Sequence, residues 1–212
     1  MDVLVAGGHG QIARRLHRIL AAHGHHARGL IRNPDHAADL QADGAVPVLC
    51  DLEHDDLRPH IGGAEAIVFA AGAGPGSGPE RKQTVDLGAA VKCVEAAREL
   101  GVDRFVIVSS IGMQDMERSG SMRVYLEAKR AADDAVKASG LSWTVVKPGS
   151  LNNDPGSGKV EIPTTLGHTG PVSRDNVAQV LYECLLAENT IHAEFELFDG
   201  DSPIRTAVTG IR

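Results

Sequence analysis

Apolar positions in the first 150 residues alternate between two periods. Val3-Leu4-Val5-Ala6 is a continuous apolar run that stops at Gly7-Gly8-His9-Gly10, which predicts a buried strand ending in a tight turn. Ile12, Leu16, Ile19 and Leu20 then recur at helical spacing through Ala22, and Gly24 ends that helix. A second strand is expected over residues 26–31, broken at Arg32-Asn33-Pro34, with a short helix over 35–41. Residues 46–50 read as a third strand, which Pro47 puts at or near a sheet edge. Residues 66–70 form a fourth strand that opens into a loop, Gly72 to Gly78, with four glycines and Pro75. A long helix over 85–100 carries Val91, Val94, Ala97 and Leu100 on one stripe. A fifth strand, 105–108, closes in Ser109-Ser110. The helix over 123–139 has Ala128, Ala131, Ala132, Ala135 and Val136 on one face, and a sixth strand, 143–146, ends at Pro148-Gly149.

Strands alternating with helices, most of the strands apolar throughout, imply a parallel sheet covered on both faces. Right-handed crossovers then give the α/β doubly wound, Rossmann-type strand order 3-2-1-4-5-6. After Gly149 the texture changes to a polar, turn-rich loop (152–158), a short strand (159–162), a helix (174–187) and a late strand (194–198). Residues 151–212 are too few for an independent domain. The expectation is one domain, with a cofactor-binding core over 1–150 and a short C-terminal extension on the substrate side.

Composition narrows the function classes. The chain has 212 residues, 42% of them hydrophobic, and a net charge of −7, so no face is basic enough for a nucleic-acid groove. No apolar run approaches the ~20 residues of a membrane span, and the N-terminus has no signal region; a soluble, cytoplasmic protein, monomer or homodimer, is expected. Cys50, Cys93 and Cys184 have no CxxC pairing and read as buried apolar thiols rather than a disulfide frame. The clusters His23, His25, His26 and His54, His60 lack metal-site framing and read as solvated loop residues, with no metal expected.

Gly7-x-x-Gly10-x-x-Ala13 lies between a strand and a helix, the context that gives a glycine motif meaning. A diphosphate must approach backbone amides at the helix N-terminus, here those around Gln11 and Ile12, and a Cβ at Gly7 or Gly10 would obstruct it. At the end of the second strand an acid would bond a ribose 2′-hydroxyl, whereas an arginine accommodates a 2′-phosphate. Arg32 stands there, so NADP(H) is favoured and NAD(H) stays open. Asp51 can accept the adenine amino group and Leu52 can flank the ring. Ala70, Ala71 and Gly72 permit close approach of the backbone to the cofactor ribose.

Tyr125 and Lys129 stand four apart on a helix and share a face. That helix follows the strand ending in Ser109-Ser110, and strand C-termini are where ligands sit in this architecture. A free phenol has a pKa of about 10, and a nearby ammonium favours its anion. Tyr125, Lys129 and Ser110 are therefore the candidate catalytic group.

These motifs occur in the order seen in the short-chain dehydrogenase/reductase superfamily. Tyr125-Leu-Glu-Ala-Lys-Arg-Ala-Ala-Asp-Asp, Val146-Lys-Pro-Gly149 and Val172-Ser-Arg-Asp-Asn-Val-Ala178 resemble its compact NAD(P)H-binding branch, related to NmrA-like proteins and sugar-nucleotide epimerases. The resemblance implies Tyr125 as acid/base, Lys129 as ribose anchor and phenol activator, and Ser110 as the substrate-polarising hydroxyl. It puts Ser109 beside the cofactor, and Pro148 and Gly149 along the nicotinamide face. The Ser110–Tyr125 separation is shorter than in many relatives, and the C-terminal section is short for gripping a nucleotide sugar. The expectation is an NADP(H)-dependent oxidoreductase acting on a small carbonyl or alcohol. The alternatives are a non-catalytic NADP(H) sensor of NmrA-like type and a sugar-nucleotide epimerase or dehydratase.

Overall fold

Strand β1 (Asp2–Ala6) lies inside a nine-stranded sheet, and its side chains divide between two cores. Val3 and Val5 enter one hydrophobic cluster and Leu4 and Ala6 the other, because successive side chains leave a strand on opposite faces. The same division recurs in β4 (Ala66–Phe69) and β5 (Arg104–Val108). This is why these strands read as unbroken apolar runs. The structure is a computed structural model that describes residues 1–74, 76–113 and 120–212, without the side chain of Ser121. Pro75 of the 72–78 loop lies outside the described residues.

With β2 (His26–Ile31), β3 (Val46–Leu49) and β6 (Ser142–Pro148), the sheet runs β3-β2-β1-β4-β5-β6, all parallel, the expected doubly wound order. β3, with Pro47, lies at one edge of the sheet. Residues beyond 150 extend this sheet: β10 (Ala193–Asp199) pairs parallel with β6, and β8 (Lys159–Glu161) and β11 (Ser202–Pro203) add antiparallel strands. Helices α1 (Gln11–Ala22) and α7 (Arg174–Leu186) cover one face with a shared core. On the other face lie α3 (Arg58–Ile61), α5 (Ala90–Leu100) and α6 (Arg123–Lys137).

Several expectations are corrected. The helix expected over 85–100 begins earlier: α4 (Pro79–Arg81), a π-helical stretch Lys82–Ala89 and α5 run on without a break. The wider π turn rotates the buried face. Ala90, Cys93, Val94 and Ala97 are buried, whereas Val91 is half-buried and Leu100 is 43% exposed, so the expected stripe meets the core at Val94 and Ala97 and leaves it at its two ends. On α6, Ala131 and Ala135 are half-buried and Lys129 and Asp133 take buried places, because polar partners wait for them at the end of β5 and just beyond it. The short helix expected over 35–41 is a 3-10 turn, Pro34–His36, followed by α2 (Ala37–Ala42). Helices α3 and α8 (Ile204–Thr209), and strands β7 (Ser150–Asn152), β9 (Pro171–Ser173) and β11, were not anticipated. The three cysteines are buried and unpaired, as expected.

Candidate functional site

The glycine turn is built by backbone demands. Gly7 has φ of +80°, and a Cβ there would lie 2.6 Å from Ala71 Cα, so only glycine lets the ends of β1 and β4 come together. Gly10 caps α1 in extended conformation without a side-chain cap bond, and no acid stands in the first turn. The first α-helical bond runs from Arg14 N–H to Gly10 O (2.9 Å), so the amides of Gln11, Ile12 and Ala13 precede the ladder. Unpaired amides at the positive end of a twelve-residue helix suit a diphosphate.

The turn is locked from beneath. A Cβ on Gly8 would meet Gly29 Cα at 2.7 Å, and one on Gly29 would meet His17 Nε2 at 3.0 Å. His17 is fully buried, with Nε2 bonded to Gly8 O (3.0 Å). Burial holds its imidazole below the usual pKa against the opposing pull of the Gly8 bond, so the neutral ring is the donor. Sequence reasoning did not single out His17, since nothing local to α1 announces the Gly8 carbonyl it meets.

A cleft of about 330 Å³ opens above the turn, lined by Gly7, Gly10, Arg32, Asp51, Leu52 and Ala70–Gly72 among others. Eight of the predicted cofactor residues are thus brought to one cavity. His9, His36, Glu53 and Arg81 also line it and were not anticipated. Arg32, 57% exposed, reaches within 3.7 Å of Glu53, which also accepts from Arg81 (3.1 Å) and Thr84 Oγ1 (2.6 Å). Asp51 accepts from the amide of Glu53 (2.9 Å) and lies 3.3 Å from His54. Partial burial opposes ionisation, yet these two partners hold the Asp51 carboxyl below its usual range, leaving an anionic acceptor at the cleft wall.

Ser110, Tyr125, Lys129, Pro148 and Gly149 are not part of that lining. Lys129 is buried on α6, donating to Val108 O at the end of β5 (3.0 Å), with Asp86 Oδ1 3.5 Å away. Asp86, from the π-helical stretch, also accepts from the amide of Ala73 (3.2 Å), and so links the Lys129 group to the cleft wall. Tyr125 is half-buried one turn before Lys129, with Lys82 Nζ 5.0 Å from its ring centroid. Ser110 is half-buried and its hydroxyl donates to Ile111 O (3.2 Å).

The Ser109 hydroxyl is committed elsewhere: it is buried and donates to Asp133 (2.8 Å). Asp133 is followed by Lys147 (3.6 Å), which pairs with Glu194. Burial opposes it, but the Lys147 and Lys137 ammoniums hold Glu194 below the usual carboxylate range. Pro148 is buried at the end of β6, and Gly149 is packed against Gly170 O and the Phe198 ring, leaving no room for a Cβ. Among the described residues, no group of three or more His, Cys, Asp or Glu is placed to hold a metal ion, and no helix is long and apolar enough to cross a membrane.

Comparison with known proteins fits this geometry. A family model described as NAD(P)H-binding matches residues 7–188. An uncharacterized sugar epimerase of Bacillus subtilis (strain 168), YhfK, is 36% identical, the match covering 98% of this chain and 99% of that protein. A Bacillus halodurans structure provisionally described as an NAD-dependent epimerase/dehydratase is 38% identical, with TM-score 0.94 and 98% of each chain covered. A Veillonella parvula short-chain dehydrogenase/reductase in complex with NADP shares the fold at 17% identity (TM-score 0.75; 95% of this chain, 96% of that one).

Proposed function

The chain belongs to the NAD(P)H-binding family, and we propose that within it the protein is an NADP(H)-dependent oxidoreductase interconverting a small carbonyl compound and its alcohol. One observation carries the reading: a buried lysine, Lys129, is held at the C-terminal end of β5 with Tyr125 one helical turn before it.

The nicotinamide supplies the hydride donor or acceptor. The amides of residues 11–13 hold the diphosphate, Arg32 meets the 2′-phosphate, Asp51 accepts from the adenine amino group, and Leu52 flanks that ring. Of the three Lys129 donors, one goes to Val108 O and one faces Asp86, leaving the third for a ribose hydroxyl. Tyr125 gives its phenolic proton to the substrate oxygen during reduction and takes it back during oxidation. Ser110 turns its hydroxyl from Ile111 O to that same oxygen. Pro148 and Gly149 wall the reactive ring.

Positioned proton transfer is worth about 10²–10⁴-fold in rate. Tyr125→Phe therefore lowers kcat by that order on any accepted carbonyl while cofactor affinity stays unchanged. NADPH oxidation across a panel of small aldehydes and ketones checks the first point and calorimetry the second. Undiminished turnover in the variant sinks the assignment.

The B. subtilis and B. halodurans descriptions favour a second reading, a sugar-nucleotide epimerase or dehydratase. It differs in its balance: the dinucleotide is regenerated in each cycle and stays bound through purification, so NADPH is not consumed.

A further inference from the structure

His9 and His36 face each other in the cleft beside Arg32, and the reaction above uses neither. Their rings are 3.5 Å apart and within 8° of parallel. His9 belongs to the glycine turn, and His36 closes the 3-10 turn that follows β2, where Asn33 Oδ1 accepts from the amide of Asp35 (3.0 Å). Both imidazoles line the same cleft as Arg32, which the end of the second strand delivers there.

The charges around the pair are specific. Asp39, on α2, bonds His9 Nε2 (2.7 Å) and lies 3.1 Å from Arg14 of α1, which is itself tied to Asp43 (2.5 Å). The His9 bond first, with Arg14 and His36 nearby, holds the Asp39 carboxyl below its usual range. Asp35 shares the turn with His36, Arg32 stands at the end of β2, Asp51 and Glu53 follow β3, and Arg81 comes from α4. Asp39 supplies an anion for one ring of the pair. A second proton would put two cationic rings in van der Waals contact, which demands a further anion. A phosphomonoester, with its second ionisation near pH ~6, is such an anion; a ribose hydroxyl is not.

We propose that His9 and His36 form a proton-linked part of the 2′-phosphate seat: a 2′-phosphomonoester beside Arg32 draws a proton onto the stacked imidazoles. NADP(H) binding then takes up a proton and NAD(H) binding does not, and the preference for NADP(H) weakens as pH rises. This rests on the cofactor reading above, in which Arg32 meets that phosphate.

The test is titration calorimetry of the full chain with NADP⁺ and with NAD⁺ at pH 7.5, in two buffers of different ionisation enthalpy. At that pH the ligand phosphate has almost no proton left to release. Expected are proton uptake with NADP⁺, none with NAD⁺, and an NADP⁺ Kd that rises by up to about tenfold per pH unit above neutrality. His36→Asn and His9→Asn each remove most of the uptake, while the remaining preference depends on Arg32. The wild-type measurement stands by itself should a variant fail to fold. If NADP⁺ binds more tightly than NAD⁺ but both take up the same number of protons, or if uptake survives both substitutions, the histidine proposal is overturned and the cofactor reading stands. If the two dinucleotides bind alike at every pH and Arg32→Ala changes nothing, the cofactor reading has failed and takes the proposal with it.

Discussion

Replacing Asp133 by asparagine should flatten part of the protein's pH-stability profile, by an amount the structure allows to be worked out. The Asp133 side chain is 1% exposed, between the Ser109 hydroxyl (2.8 Å) and Lys147 Nζ (3.6 Å), and among the described residues its Oδ1 has no hydrogen-bond partner. Burial pushes this carboxyl up to about 6, against the lesser pull of the Ser109 bond and of Lys147 and Lys129. Relative to the ordinary carboxyl, that shift of about two units corresponds to about 3 kcal/mol. The sign follows from proton counts. Between pH ~4 and ~6 the folded chain holds a proton that the unfolded chain has released, so the unfolding free energy falls as pH rises through this window. The advantage is complete below the unfolded value and gone above about 6, where the buried carboxylate is ionised. Asp133→Asn removes the ionisation. It does not orphan Lys147, which keeps Glu194. Guanidinium unfolding at half-unit steps from pH 4 to 7.5 gives the difference in stability, variant minus wild type, in which carboxylates common to both cancel. That difference should climb by about 3 kcal/mol across the window. A flat difference, or one that falls with pH, refutes the argument that desolvation dominates at this site.

Gly7→Ala forces a non-glycine residue to φ of +80° and sets its Cβ 2.6 Å from Ala71 Cα. Strain and overpacking together cost about 2–5 kcal/mol, read as a lowered unfolding midpoint along with lost dinucleotide binding; a variant as stable as wild type contradicts this account of the turn. Burial pushes the Cys93 and Cys184 thiols up to about 12 and Cys50 to about 11. A thiol reagent at pH 8 should therefore modify none of the three rapidly until denaturant is added, and fast labelling of any one in the native protein would show it less buried than described.

Where apolar periodicity decided the structure, the sequence could be read directly. The six parallel strands up to Gly149 and their order follow from short apolar runs, each closed by glycine, serine or a polar turn. The edge position of β3 follows from Pro47 having no N–H to give. What escaped was set by contacts remote in sequence. The buried face of α6 includes Lys129 and Asp133 because Val108 O and Ser109 receive them, and nothing local in the 123–137 segment announces those partners. Likewise, His17 is paid for by two glycines, Gly8 and Gly29, the second of them on another strand. In the candidate site, the glycine turn, Arg32, Asp51 and Leu52 were legible because each sits at a strand end. Glu53 and Arg81 were not, since their meeting joins segments 28 residues apart in the chain. Ser109 was legible as a strand end, but not as a residue whose hydroxyl is already used.

The contact between α6 and the π-helical stretch bears on the choice between an enzyme and a mere binder of dinucleotide. Two pairs spaced by four meet across it: Lys82 lies over Tyr125, and Asp86 faces Lys129. Asp86 and Lys129 are 1% and 4% exposed. Burying such a pair forfeits hydration that its mutual attraction only roughly restores, and apolar replacements of similar volume are often neutral or stabilising. Stability alone therefore gives weak reason to place an ammonium there. A protein that only sensed the cofactor could hold a ribose with hydroxyl or amide side chains at lower cost. An acid/base phenol has a use for the arrangement: one cation lies over its ring, and another is fixed a helical turn away by a carboxylate that also grips the Ala73 amide of the cleft wall. Lys82 and Asp86, four apart, share one face of the π-helical stretch, as Tyr125 and Lys129 do on α6, so both charged groups meet the phenol helix along a single seam. That convergence favours the catalytic reading over the sensor, and turnover by Tyr125→Phe is the measurement on which the choice depends.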